Sequence, residues 1–194
     1  GLLKYPVFEV YGNHDGPQGD TLVVEGIKRR NQSRDGIKNI SENGLHYAWD
    51  WGSLHLINLG IVVGQTGSEL QRRRYAPMES LQFLKQDLQR MGDANRPVVI
   101  TQHIDLARYS IPYTIDEERF LHMEWHPQDV KSFHETIAPF HVIANFCGHT
   151  HRREIFGWNG TPKRQPFTRA DMDAFNGDNS SHFHGGKQAF FYVE

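Results

Sequence analysis

Three apolar runs in this chain each end in a short polar loop, and this arrangement limits the folds open to it more than any other feature. Val7, Phe8 and Val10 lead into Gly12-Asn13-His14-Asp15. Val98-Val99-Ile100-Thr101-Gln102 leads into His103. Val142, Ile143, Ala144, Phe146 and Cys147 lead into Gly148-His149-Thr150-His151. Short runs rich in β-branched and aromatic residues, closed by turn residues, read as buried strands. Groups carried just beyond the carboxyl ends of strands in an open α/β sheet meet in one crevice. The groups delivered here are imidazoles and an amide, and imidazole suits zinc, iron and related transition metals. The expectation is an α/β fold with mixed sheets and a metal site at its strand ends.

The rest of the chain supplies the connecting units. Residues 16–44 are polar and turn-rich, hold the basic cluster Lys28-Arg29-Arg30, and read as a long excursion with one short helix. Residues 45–60 alternate apolar and polar positions around Gly52-Ser53, the pattern of a hairpin. Residues 61–76 are irregular and contain Arg72-Arg73-Arg74, a run short enough to be a solvated face or a phosphate contact. Pro77 opens a helix whose stripe is Leu81, Leu84, Leu88 and Met91, with Gly92 at its C′ position. A second helix follows Pro127, with Val130, Phe133 and Ile137 facing inward and Pro139 ending it. Ile155, Phe156 and Trp158 mark a returning strand, residues 159–188 read as loop, and Ala189 to Val193 as a closing strand. No internal repeat or low-complexity tract is present.

Composition sets outer bounds. A chain of 194 residues suits one domain, here taken as residues 1–194, and can bury a sizeable core. A hydrophobic content of 38% with 23% charged residues argues against wholesale disorder. The net charge of −2 offers no general attraction to nucleic acid or membrane surfaces. The single cysteine, Cys147, precludes an internal disulfide and reads as a small buried hydrophobe. No apolar run approaches the roughly 20 residues that span a bilayer.

The wording of the three loops resembles the calcineurin-like metallophosphoesterase superfamily. Its motifs run Asp-x-His, Gly-Asp, Gly-Asn-His-Asp/Glu, a lone His, and Gly-His-x-His. The last three stand here in order as Gly12 to Asp15, His103, and Gly148 to His151. The first two do not: the eleven residues before Gly12 contain neither Asp nor His, and Gly19-Asp20, Gly92-Asp93 and Gly177-Asp178 all come later. A β-α-β stretch of about thirty residues or more is missing from the pattern. The chain is therefore expected to be part of a longer protein or a degenerate member, with its first strands absent and its compartment left open.

What the resemblance implies is specific. The fold would be two packed mixed sheets flanked by helices, a four-layer sandwich. The cofactors would be two transition-metal ions (Mn, Fe or Zn), and the substrate a phosphate mono- or diester. Asn13, His103 and His149 would hold the second metal and His151 the first. His14 would stay off the metals as general acid or charge stabiliser facing the leaving group, oriented by Asp15. Such chemistry needs an oxygen nucleophile near neutral pH and compensation for phosphoryl charge, and two metals about 3.5–4 Å apart supply both.

Further residues carry weaker expectations. His46, His55, His134 and His141 read as surface or core residues. His182 and His184 can approach the site or be structural, and Arg152 can meet a phosphate or an ordinary surface partner. Residues 104–126, with Tyr109, Tyr113 and Trp125, are expected to wall the site together with the Gly16 to Asn43 loop, because loops on a rigid scaffold carry specificity. Three function classes stay open: a two-metal phosphoesterase, an inert binding module of the same fold, and a hydrolase of another phosphorus linkage such as pyrophosphate or a nucleic-acid backbone.

Overall fold

Runs such as Val98-Val99-Ile100 have no polar face to offer water, so they belong in the middle of a sheet covered on both sides. The computed structural model, which describes residues 5–16, 21–66, 74–106, 124–161 and 172–177, places them there. In chain order the elements are α1 (Leu22–Ser33), β1 (Ile37–Ile40), β2 (Tyr47–Trp51), β3 (Leu54–Asn58), α2 (Ser80–Met91), β4 (Val98–Thr101), α3 (Pro127–Ile137), β5 (Val142–Cys147), β6 (Glu154–Trp158) and β7 (Met172–Asn176). The strands form one seven-stranded sheet in the order β1-β2-β3-β4-β5-β7-β6. Strands β3, β4, β5 and β7 run parallel at its centre. The edges are antiparallel, β1 and β2 on one side and β6 on the other. The class is thus α/β with a mixed sheet, and among the described residues there is one sheet.

Several sequence expectations are met at residue level. The hairpin turns at Gly52-Ser53, pairing Trp51 with Leu54, and Gly52 takes φ 60°, which favours a residue without Cβ. Its second strand, Leu54–Asn58, pairs in parallel with β4 and draws the hairpin into the main sheet. Helix α2 buries Leu81, Leu84 and Leu88 and closes on Gly92 in the left-handed conformation. It starts at Ser80 and not beside Pro77. Asn43 Nδ2 donates to the Met78 carbonyl at 2.8 Å, and His46 Nε2 lies 2.6 Å from the same oxygen, holding the preceding turn in place. Helix α3 begins at Pro127 and buries Val130, Phe133 and Ile137 as its spacing requires. It packs on α2, and the buried residues of both helices share one core with Ile57 of β3 and with Val98 and Ile100 of β4.

Three local expectations are corrected. Residues 6–12 form no strand among the described residues. They are held by side chains instead: Phe8 stacks on Trp49 with centroids 3.7 Å apart, and the Tyr47 hydroxyl donates to the Glu9 carbonyl at 2.8 Å. The excursion after Gly16 contains a 12-residue helix capped by Thr21 and also strand β1. Its basic cluster is part of the helix surface, where Lys28 pairs with Glu25 and Arg30 with Glu9. Strand β7 falls within a stretch expected to be loop; Met-Asp-Ala-Phe-Asn has little intrinsic strand preference and is recruited by pairing with both β5 and β6. The expected closing strand at Ala189 to Val193 lies outside the described residues.

Candidate functional site

The loops beyond β3, β4, β5 and β7 are joined by their own backbones. His103 N donates to Gly60 O at 3.1 Å, Gly148 N to His103 O at 2.9 Å, and Gly177 N to Cys147 O at 2.8 Å. These bonds continue the parallel ladder one step past the sheet and fix the loops in a row. The segment Tyr11-Gly12 lies across them. A Cβ on Gly60 would sit 2.5 Å from the Tyr11 ring, and one on Gly12 would sit 2.8 Å from Cε1 of His103. Both glycines are therefore required by close approach, and they let the Gly12 loop settle onto His103.

This packing brings Asn13, His103 and His149 together from three separate loops. His103 Nε2 is 2.7 Å from Asn13 Oδ1, His149 Nδ1 is 3.3 Å from the same oxygen, and the two imidazole nitrogens are 3.3 Å apart. The rings meet edge to face, with centroids 5.1 Å apart. Donors bound tetrahedrally at about 2.0–2.1 Å lie roughly 3.4 Å from one another. The triangle therefore has the size and the donor chemistry of one face of a metal's coordination shell. Among the described residues no three Cys, His, Asp or Glu side chains form such a group; the third donor here is an amide oxygen.

The other expected residues stand close by. His14 and His151 are exposed on the same loops, and their charges reach His103. Burial, then the neighbouring His149, His14 and His151, push His103 down to about 4. Its imidazole is thus neutral near pH 7, the form that binds metals. Asp15 Oδ2 accepts the Gly12 N–H at 2.7 Å and closes the loop on itself. Thr21, the cap of α1, donates to the Asp15 carbonyl and ties this loop to the helix.

The Gly148 loop is strained where it matters. His149 has φ 72° and His151 φ 56°, left-handed positions that cost a non-glycine residue about 1–3 kcal/mol. Thr150 N donates to Gly148 O at 2.8 Å. Asn176 at the end of β7 bonds both the Thr150 hydroxyl and buried Asp105, the latter at 2.9 Å. The strand overlooked in the sequence is thus the brace of this loop.

Two neighbours of the triangle were not legible in the sequence. Glu124 is buried, with Oε1 3.1 Å from His149 Nε2, and the Tyr75 ring meets His149 edge-on at 6.1 Å. Both come from irregular stretches where neither period nor motif marks a residue. Trp125, expected on the wall, is a core residue: it is buried, its Nε1 donates to Val63 O at 2.8 Å, and it packs on Phe133. Tyr109, Tyr113, His182 and His184 lie outside the described residues. His46 and His55 are buried, His134 is half-buried against Trp158, and His141 and Arg152 are exposed.

No protein-family model matches this sequence, and no curated protein is significantly similar to it.

Proposed function

We propose that the Asn13–His103–His149 triangle is half of a two-metal centre and that the protein hydrolyses phosphate mono- or diesters. The supporting observation is the convergence of one amide oxygen and two imidazole nitrogens within 3.3 Å from three different loops. Asn13, His103 and His149 hold one ion, and exposed His151, two residues on, is the ligand for the other. Bound there, two metal ions such as Mn, Fe or Zn supply a nucleophile near neutral pH and offset charge on the phosphoryl oxygens. His14, beside Asn13 and free of the triangle, faces the leaving-group oxygen and donates a proton to it. The same reading carries a second sheet packed on the one described.

A second reading rests on the same triangle: its three donors would equally hold an ion in an inert binding module of the same fold. Titrating chelator-treated protein with Zn²⁺ or Mn²⁺ in a calorimeter, alongside hydrolysis of p-nitrophenyl phosphate and bis-p-nitrophenyl phosphate, separates the two. The expected result is saturable binding, lost in His103→Ala and His149→Ala, together with metal-dependent turnover. Binding without turnover of any ester selects the inert module. No binding removes both.

The glycine packing gives an independent check. A methyl group on residue 12 must displace the His103 ring, since its nearest atoms would lie at 2.8 and 2.9 Å. Gly12→Ala is expected to weaken Zn²⁺ binding by roughly 10–100-fold, as other changes that misalign a ligand do. Unchanged affinity would mean that His103 is not a ligand.

A further inference from the structure

We propose that Glu124 is the positioning residue that makes His149 a metal ligand, by fixing which of its ring nitrogens carries the proton. The inference rests on the reading of the triangle as a metal site. A neutral imidazole has one N–H donor and one lone pair, and the partner of one nitrogen decides the state of the other. A carboxylate only accepts. Glu124 Oε1 lies 3.1 Å from His149 Nε2, so the proton belongs on Nε2 and the lone pair on Nδ1. Nδ1 is the atom that faces Asn13 Oδ1 and His103 Nε2. With the opposite assignment, an N–H would point into the triangle and close it to a cation.

The surroundings hold Glu124 to this task. Its side chain is 3% exposed, so an ionised carboxylate there requires compensation. Arg74 supplies it, with Nη1 3.3 Å from the same Oε1 that meets His149. The Arg74 guanidinium also lies 5.3 Å from the Tyr75 ring centroid, and Tyr75 in turn abuts His149 edge-on. The consecutive residues Arg74 and Tyr75 therefore grip Glu124 and the ring it orients. The chain Arg74, Glu124, His149 gives the ligand its orientation, as carboxylates behind metal-bound histidines do.

Two measurements test this. In metal-free, ¹⁵N-labelled protein, the His149 ring signals should report a protonated Nε2 and a bare Nδ1. In Glu124→Leu, which has no acceptor, that assignment should be lost and Zn²⁺ affinity should fall roughly 10–100-fold. Glu124→Gln, which keeps an acceptor oxygen, should restore part of both. A proton on Nδ1 in the unaltered protein overturns the proposal whether or not any variant folds. So does a folded Glu124→Leu protein that binds Zn²⁺ as tightly as the parent. If the unaltered protein binds no Zn²⁺ yet shows the Nε2 proton, the metal reading fails while the tautomer assignment stands.

Discussion

Replacing His14 by Ala should lower kcat about 10²–10⁴-fold, the usual contribution of a general acid, while leaving metal content nearly unchanged. His14 is exposed on the Gly12 loop, next to Asn13 but outside the set of donors that touch one another. Its neighbour Asp15 is occupied with Gly12 N–H, so the loop keeps its shape when the imidazole is removed. The loss should be smaller for p-nitrophenyl esters, whose leaving group needs little protonation, than for alkyl phosphates. Measuring kcat and bound metal for both ester types in parental and variant protein decides the point. Equal losses across leaving groups would leave charge stabilisation as the role of His14. A metal-free His14→Ala protein would show that roles within Asn13-His14-Asp15 are misassigned.

Asp87→Ala should destabilise the fold by about 3–5 kcal/mol, the usual result of removing one partner from a buried ion pair. For a chain of this length that is a drop of roughly 6–20 °C in Tm. His55 is 5% exposed and lies between two carboxylates, Nδ1 2.8 Å from Asp50 Oδ1 and Nε2 2.7 Å from Asp87 Oδ2. A neutral imidazole can donate to only one of them, so the geometry calls for the imidazolium. Asn39 Nδ2 donates to Asp87 at 2.7 Å and Asn39 Oδ1 accepts from Arg90, while Arg96 pairs with Asp50 at 2.8 Å. Burial pulls His55 down, but its bonds to Asp87 and Asp50 outweigh this and hold it above its ordinary value. For Asp50, burial acts upward, and His55 and Arg96 outweigh it to hold the carboxyl below its usual range.

The pH dependence follows with a definite sign. A histidine raised in the folded state contributes stability that is complete below about pH 6.5, its unfolded value, and is lost as pH rises through the folded one. An aspartate lowered in the folded state contributes above its unfolded value near 4 and loses that contribution as pH falls. Stability from this cluster should therefore be greatest between roughly pH 4 and 6.5 and decline above it. Urea unfolding of metal-free protein from roughly pH 7 to 9, above the range in which the lowered His46 and His103 add stability, measures this decline, and it should vanish in His55→Leu. A flat profile in the parent, or a loss under about 1 kcal/mol for Asp87→Ala, would mean that His55 is neutral in its cleft.

Legibility differed from element to element for physical reasons. Helices α2 and α3 carry a 3.6-residue apolar stripe and local start or stop residues, so Leu81 to Gly92 and Pro127 to Ile137 could be placed by local rules alone. Strands β4 and β5 are mostly apolar, broken only by Thr101 and Asn145, as strands at the centre of a parallel sheet tend to be. Strands β1 and β7 are short and polar enough to read as loop, and only their partners make them strands. The error at Val7 to Val10 is the reverse case. An apolar run read as a strand finds no ladder partner among the described residues, and aromatic stacking on Trp49 holds it instead.

At the site, the amino-acid order alone singled out the polar groups of the three loops, Asn13, His14, His103, His149 and His151; the two later loops follow strands β4 and β5, whereas Asn13 and His14 follow a segment that forms no strand. Motifs of this kind survive reading because their donors lie within a few residues of a turn that local chemistry dictates. Only the tertiary structure decided that Asn13 and His103, ninety positions apart, share a 2.7 Å contact. It also decided that Asn176 braces the Gly148 loop, that Trp125 belongs to the core, and that Glu124 stands behind His149. A supporting residue needs no pattern of its own. Its role comes from distance in space, and that is set by how the sheet and its loops close, not by where the residue lies in the chain.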